Sequence, residues 1–297
     1  MTTTGLVPPT SRRRSRRLRP ETAARRSVLR RDRVALGLTI FLGLLVVVAV
    51  LAPVIAPYAP DETDILAASQ GPSGAHLLGT DALGRDLLSR LIYGTRLSLL
   101  GPVIVIGVAT VCAVALVLSS VWIGGRYDRF VGKALSVLFS FPGLILAIVV
   151  VAIVGAGITG PIVAFSIAFI PYIARVLRPV ALRERSMTYV SALQLLGVSG
   201  WWICVRHLLP NIFPFVRAHV TIALGTALVD LAAVSYIGLG VQAPAAEWGL
   251  QISTGQADLL AGKPWESLTA CVAVLVVVIA VNILGERLAA AAQKEGR

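Results

Sequence analysis

Charge is scarce in this sequence. Asp, Glu, Lys and Arg make up only 14% of 297 residues, while 56% are hydrophobic. A water-soluble domain of this length needs a far more polar surface, so a soluble globular class is excluded. Short segments alternating apolar with polar are also lacking, which disfavours a membrane β-barrel. Cysteine is rare: Cys112, Cys204 and Cys271 have no metal-like or CxxC spacing and read as small packing residues. No Gly-x-x-x-x-Gly-Lys-Ser/Thr occurs. Gly262-Lys263 is followed by Pro264 and lacks the upstream glycine, so the chain has no phosphate loop of its own. His-Glu-x-x-His and Gly-x-Ser-x-Gly are missing too, leaving a hydrolase without a metal pair or nucleophile. No catalytic, cofactor or metal residue is assigned.

What is present is hydrophobicity in long blocks, the pattern of helices that cross a bilayer. Six blocks stand out: Val34–Ile55, about Leu97–Ile123, about Ala134–Val154 with Pro142 inside it, about Pro161–Leu182, about Phe213–Tyr236 and about Leu268–Leu288. The expected fold is therefore all-α with six spans over residues 34–288. The net charge of +12 is unevenly placed, with eleven arginines from Arg12 to Arg33. Residues 1–33 read as a disordered basic tail held on the cytoplasmic side and touching anionic lipid. No aromatic or glycine-rich RNA motif accompanies it, so nucleic acid is not expected as a partner. The tail does not read as a cleaved signal, because the next block is too long and no small-residue site closes it.

With that tail inside, six crossings also place residues 289–297 inside. The basic turn Arg126–Lys133 and the loop 183–211 then lie inside. The acidic segments 59–95 and 238–266 lie outside, in accord with the positive-inside rule.

Two connecting segments carry the information about function. In the inner loop, Tyr189, Ala192, Leu193 and Leu196 fall at i, i+3, i+4 and i+7, one face of a short helix. Gly197 is placed to end it, and Pro210, after Leu209, to end a second piece beginning at Trp201. By itself this pattern also suits an amphipathic helix resting on the membrane surface. In the outer segment, Asp81 reads as an N-cap and Gly94 as the C′ residue of a short surface helix, with Leu83, Leu87 and Leu91 every four residues between them. His76 reads as an ordinary loop histidine rather than a metal ligand, because no second ligand sits at a matching spacing.

The spacing Ala192, Gly197, Leu209-Pro210 resembles the EAA loop of bacterial ABC importer permeases, with departures: Ser191 stands for the usual Glu, Leu193 for the second Ala and His207 for the usual Ile. The string Gly79-Thr80-Asp81 followed by Gly84-Arg85-Asp86 resembles the C-type permeases of dipeptide, oligopeptide and nickel importers. So does the segment from Ser235 to Glu247-Trp248-Gly249. The resemblance implies a type I importer permease with both termini cytoplasmic. It implies as partners a second similar permease, two ATP-binding subunits that use ATP and magnesium, and a substrate-binding protein outside. It also implies a coupling helix built from Tyr189, Ala192, Leu193, Leu196, Gly197, Leu209 and Pro210. Peptide is the expected solute; nickel or another small solute, or a non-transport receptor or assembly role, are the alternatives.

Asp230 is the one carboxylate well inside a block and must face protein or water. It reads equally as a residue of the translocation path, together with Tyr236, and as a structural partner of an arginine or backbone N–H. Arg175 and Arg178 are expected to snorkel to headgroups, and Asn282 to hydrogen-bond between helices.

Overall fold

The computed structural model describes residues 32–295; residues 1–31 of the basic tail lie outside the described residues, and Asp32 and Arg33 belong to the start of the first helix. Helix α1 (Arg33–Ile55) is capped by Asp32, whose carboxylate accepts from the Val34 and Ala35 N–H groups. Pro53 sits in its last turn and cannot donate to the Ala49 carbonyl. Arg96 from the next helix fills that vacancy: its Nε donates to Ala49 O at 2.5 Å and its Nη2 to Val50 O at 2.9 Å.

The segment expected on the outer side, with one 3-10 turn, Ile65–Ala67, leads to α2 (Leu87–Ile123). At 37 residues α2 is about 55 Å long, well beyond the bilayer core. Two expectations are corrected here. The cap is Asp86, which accepts from Ser89 N–H at 2.8 Å, and not Asp81. Gly94 does not end a surface helix; α2 runs straight through it, and the span and its outer extension are one rod. Gly94 is needed for contact, since a Cβ there would lie 3.0 Å from the Trp248 ring.

The third block is not one straight span. It is α3 (Gly125–Phe139) followed by α4 (Gly143–Val154), bent by 82°. Pro142 causes the break: its extended backbone and missing N–H begin a new helix. Alone, α4 rises only about 18 Å, so this crossing needs both halves. Helix α5 (Thr159–Arg185) follows, then α6 (Thr188–Leu195), then α7 (Gly200–Ile203).

A π turn, Cys204–Leu208, joins α7 without a break to α8 (Leu209–Tyr236). Pro210 therefore does not stop the second piece as the sequence suggests. The helix has already widened, with the Leu209 N–H reaching back five residues to Cys204 O, and the proline is carried within the continuing rod. Helices α9 (Trp248–Thr254) and α10 (Gln256–Leu260) occupy the outer loop, and α11 (Trp265–Glu295) completes the chain. Among the described residues, five helices are long and apolar enough to cross a membrane, and there are six if the bent α3–α4 pair is one span.

Helices α2, α5 and α8 form the centre. Val105, Ile106, Phe165, Ile173, Leu177 and Ile212 are buried among alanines such as Ala109, Ala174 and Ala227. Small residues let the backbones approach where lipid supplies no hydrophobic drive. At Gly225 of α8 a Cβ would come within 2.9 Å of Asn282 Oδ1, so the polar residue of α11 lies against α8. Large apolar side chains on α1, α4 and α11, such as Val54, Ile153 and Leu275, face outward. Water would not tolerate such a belt, whereas acyl chains do.

Candidate functional site: the α6 knob and the outer clamp

Helix α6 is eight residues long, so its own hydrogen bonds cannot hold it. Its end is closed by a Schellman motif: Val198 N–H donates to Leu193 O at 3.1 Å and Gly197 N–H to Gln194 O at 3.0 Å. Gly197 has φ +75°, and no atom would lie within 4 Å of an added Cβ, so the position demands glycine for backbone conformation alone.

The face expected from the sequence is divided. Tyr189 and Leu193 turn inward against the core together with buried Val190. Ala192 and Leu196 turn outward. The outward surface is apolar, with Leu195 90% exposed, Leu196 78% and Trp201 of α7 77%.

Three side chains tie this knob to the membrane helices. Tyr189 Oη donates to Glu184 Oε1 at 2.7 Å, and Asn211 Nδ2 donates to the same oxygen at 2.7 Å and to Tyr189 Oη at 3.2 Å. Glu184 belongs to the end of α5 and Asn211 to the start of α8, so one carboxylate joins three helices. Burial, reinforced by the neighbouring Glu184 carboxylate, pushes the Tyr189 phenol well above its ordinary pKa, keeping it a donor at any physiological pH. The sequence reading missed Glu184 and Asn211. The only available signal was a carboxylate five residues before Tyr189. A second anchor is steric: Gly200 sits directly on the Trp122 indole, leaving no room for a side chain. Arg185 stacks beside the same ring and donates to Val121 O. Leu209 packs on the core, while Pro210 is exposed.

At the other end of the molecule the outer motif residues come together as a buried clamp. Asp81 Oδ1 accepts from the N–H groups of Leu83 and Arg85, both at 2.9 Å, and Asp81 Oδ2 accepts from Arg85 Nε at 2.6 Å. Gly79 and Gly84 supply the left-handed turns of this loop. Thr80 is buried, donating to Ala67 O and accepting from Gln70 N–H. Asp86 caps α2 and pairs with His76 Nδ1 at 3.0 Å, which gives His76 a structural partner. Glu247 caps α9 by accepting from Gly249 and Leu250 N–H, while Ser98 of α2 binds both Glu247 and the Trp248 N–H. Trp248 Nε1 reaches Leu91 O at 3.1 Å. Gly249 lets α9 lie directly on α8, since a Cβ there would come 2.5 Å from Ala232 O.

The centre of this region is Arg90, which the sequence offered only as one more loop charge. It is 1% exposed. Its Nη1 donates to Pro60 O at 2.9 Å and Pro244 O at 3.4 Å, its Nη2 donates to Ala245 O at 3.5 Å, and its Nε lies 3.6 Å from Asp81 Oδ2. One guanidinium thus gathers both outer loops.

Asp230 and Tyr236 are not brought into either cluster. Asp230 lies half-buried in α8 with no ion-pair partner among the described residues. Tyr236 ends α8, exposed, its carbonyl accepting from Ser253 Oγ. Arg178 does not snorkel freely but pairs with Asp128 at 2.6 Å, and Arg175 stacks 3.8 Å from the Phe139 ring centre.

The chain matches known proteins in sequence and in fold. Residues 106–294 match the family described as the binding-protein-dependent transport system inner membrane component, and residues 23–72 match the N-terminal transmembrane domain of oligopeptide transport permease C. The chain is 35% identical to the glutathione transport system permease protein GsiD of Pectobacterium atrosepticum over 87% of its length and 86% of that protein's. It is equally similar to GsiD of Escherichia coli O157:H7, at 35% over 87% and 86%. Its fold is that of a chain of the MetNI methionine ABC transporter: TM-score 0.57 and 21% identity, covering 69% of this chain and 97% of that one. The chain therefore belongs to the inner membrane components of binding-protein-dependent transport systems, the permease subunits of ABC importers.

Proposed function

We propose that this permease imports peptides of the size of glutathione or somewhat larger, driven by two ATP-hydrolysing partner subunits. The observation that carries the coupling role is the α6 knob. An exposed apolar surface on a glycine-capped eight-residue helix is joined through Tyr189, Glu184 and Asn211 to the ends of α5 and α8. Such a surface is costly in water and suits a cleft on a partner. The EAA-like spacing supports an ATPase as that partner, contacted through Ala192, Leu196 and Gly197. ATP binding that favours one ATPase arrangement shifts α6, and α5 and α8 carry the shift to a path shared with a second permease. On this reading the N- and C-termini and α6 lie in the cytoplasm, and the clamp around Arg90 faces a substrate-binding protein outside. Peptide is favoured by the relatives' glutathione permease name and by the oligopeptide permease match. Asp230 and Tyr236 are assigned to the path.

The test is uptake of labelled glutathione and a labelled tripeptide by cells with and without this gene. Loss of peptide uptake, restored by the intact chain and not by Gly197→Val, is the expected result. Unchanged peptide uptake, with loss of nickel uptake, would replace the substrate assignment.

A further inference from the structure

We propose that the cleft between α3 and α5 is a binding site for the phosphate headgroup of an anionic membrane lipid. Two adjoining hollows of about 600 and 300 Å³ share Gly132, Ser136 and Arg178. Four cations converge on them from two helices: Arg129 and Lys133 from α3, Arg175 and Arg178 from α5. Asp128 is the single carboxylate in the lining, and it engages only one side of Arg178, through Nη2 at 2.6 Å and Nε at 3.3 Å. The remaining cations have no carboxylate partner in the cleft. Arg175 is fixed by stacking on Phe139, which leaves its guanidinium edge available to a planar or tetrahedral oxyanion.

The surroundings match a lipid rather than a soluble anion. On α3 the cations are flanked by exposed Phe130 and Val137, and the α3–α4 bend exposes Phe139 and Phe141. A headgroup seated among the cations would lay its acyl chains along those apolar side chains. A lone basic stripe attracts lipid diffusely; a concave site with cations from two helices fixes one headgroup between them. Occupancy would brace α3 against α5, the helix that leads into the α6 knob. Placing the cleft at the inner leaflet rests on the orientation proposed above. Binding in detergent makes no use of orientation, so either assignment can fail alone.

The full-length chain, purified in detergent and stripped of lipid, is titrated with phosphatidylglycerol or with phosphatidylcholine of the same acyl chains, and bound lipid is counted by native mass spectrometry. Phosphatidylglycerol should bind preferentially. The double variant Arg129→Gln/Lys133→Gln should weaken it roughly 30-fold and leave phosphatidylcholine unchanged. Both side chains are exposed, so thermal unfolding of this variant should match the parent; if it does not, Lys133→Gln alone should weaken binding roughly fivefold. Equal binding of the two lipids by the parent chain, or undiminished phosphatidylglycerol binding by a folded variant, overturns the proposal. Displacement of bound phosphatidylglycerol by an equal concentration of inorganic phosphate also overturns it, by assigning the cleft to a free anion.

Discussion

Gly197 and Glu184 show two ways in which a single residue holds the α6 knob. Gly197 is required for its positive φ, since the space around it is open. A β-branched residue there costs about 1–2 kcal/mol of backbone strain, whereas Asn tolerates the left-handed region. Gly197→Val should therefore leave ATP hydrolysis by the assembled importer in place while lowering uptake about tenfold or more. Gly197→Asn should keep most of both, measured in proteoliposomes. Loss of ATP hydrolysis and uptake in equal proportion in Gly197→Val would instead indicate failed assembly. Glu184 acts through hydrogen bonds. Glu184→Ala removes the acceptor of the part-buried Tyr189 hydroxyl and one of the two acceptors of the exposed Asn211 amide, at about 0.5–1.5 kcal/mol per hydrogen bond, and should loosen α6 from α5 and α8. Hydrogen exchange confined to residues 186–200 should rise, and an unchanged exchange pattern there would remove Glu184 from the linkage. Gly197 was legible because a positive-φ cap has a one-letter signal after a periodic run. Glu184 was not, because its partner Asn211 is 27 residues away and no local pattern marks the pair.

Elements were read well by type and poorly at their ends. Five of the six apolar blocks appear as single membrane-length helices and the third as the bent α3–α4 pair, all helical because a bilayer leaves the backbone no partner but itself. The misreadings share one cause, which is that packing and hydrogen bonding override a local stop signal. Gly94 reads as a helix end but sits where Trp248 approaches, and α2 continues. Pro210 reads as a stop, yet the π turn before it lets the helix carry on. Pro142 does behave as a breaker, since its own backbone is extended where α4 begins. At α9 the contact is backbone against backbone. Gly249→Ala would force a Cβ into the Ala232 carbonyl and cost about 1–3 kcal/mol of overpacking. The expected outcome is a lower membrane level of the permease and a lower melting temperature in detergent; a normal melting temperature would mean that α9 is free to shift.

At the scale of the whole molecule, the two ends of the bundle are built differently. The end opposite α6 is closed by buried charge. Removing Arg90 leaves Asp81 buried beside Arg85 alone and frees the carbonyls of Pro60, Pro244 and Ala245, a loss of about 3–5 kcal/mol by analogy with broken buried ion pairs. Arg90→Ala should abolish accumulation of folded permease, and Arg90→Lys should rescue it only in part, because an ammonium cannot span three carbonyls. The α6 end presents the exposed apolar side chains of Leu195, Leu196 and Trp201. Orientation is checked by replacing the three native cysteines with serine and placing one cysteine at Leu66 or Leu195, both exposed. A membrane-impermeant maleimide added to intact cells should label the first and spare the second, and the reverse labelling would invert the proposed topology. The sequence by itself determined that this is an all-α chain with six long apolar blocks and that a short glycine-capped helix lies between the fourth and fifth of them. Those properties follow from hydrophobic length, charge asymmetry and turn chemistry, all of which act over a few residues. Only the tertiary structure decided that Arg90 is a buried keystone, that Glu184 joins three helices, that Asp81 closes a turn rather than capping a helix, and that two helices converge four cations on one cleft. Each of these depends on contacts between segments distant in the chain, whose geometry is set only when the helices pack.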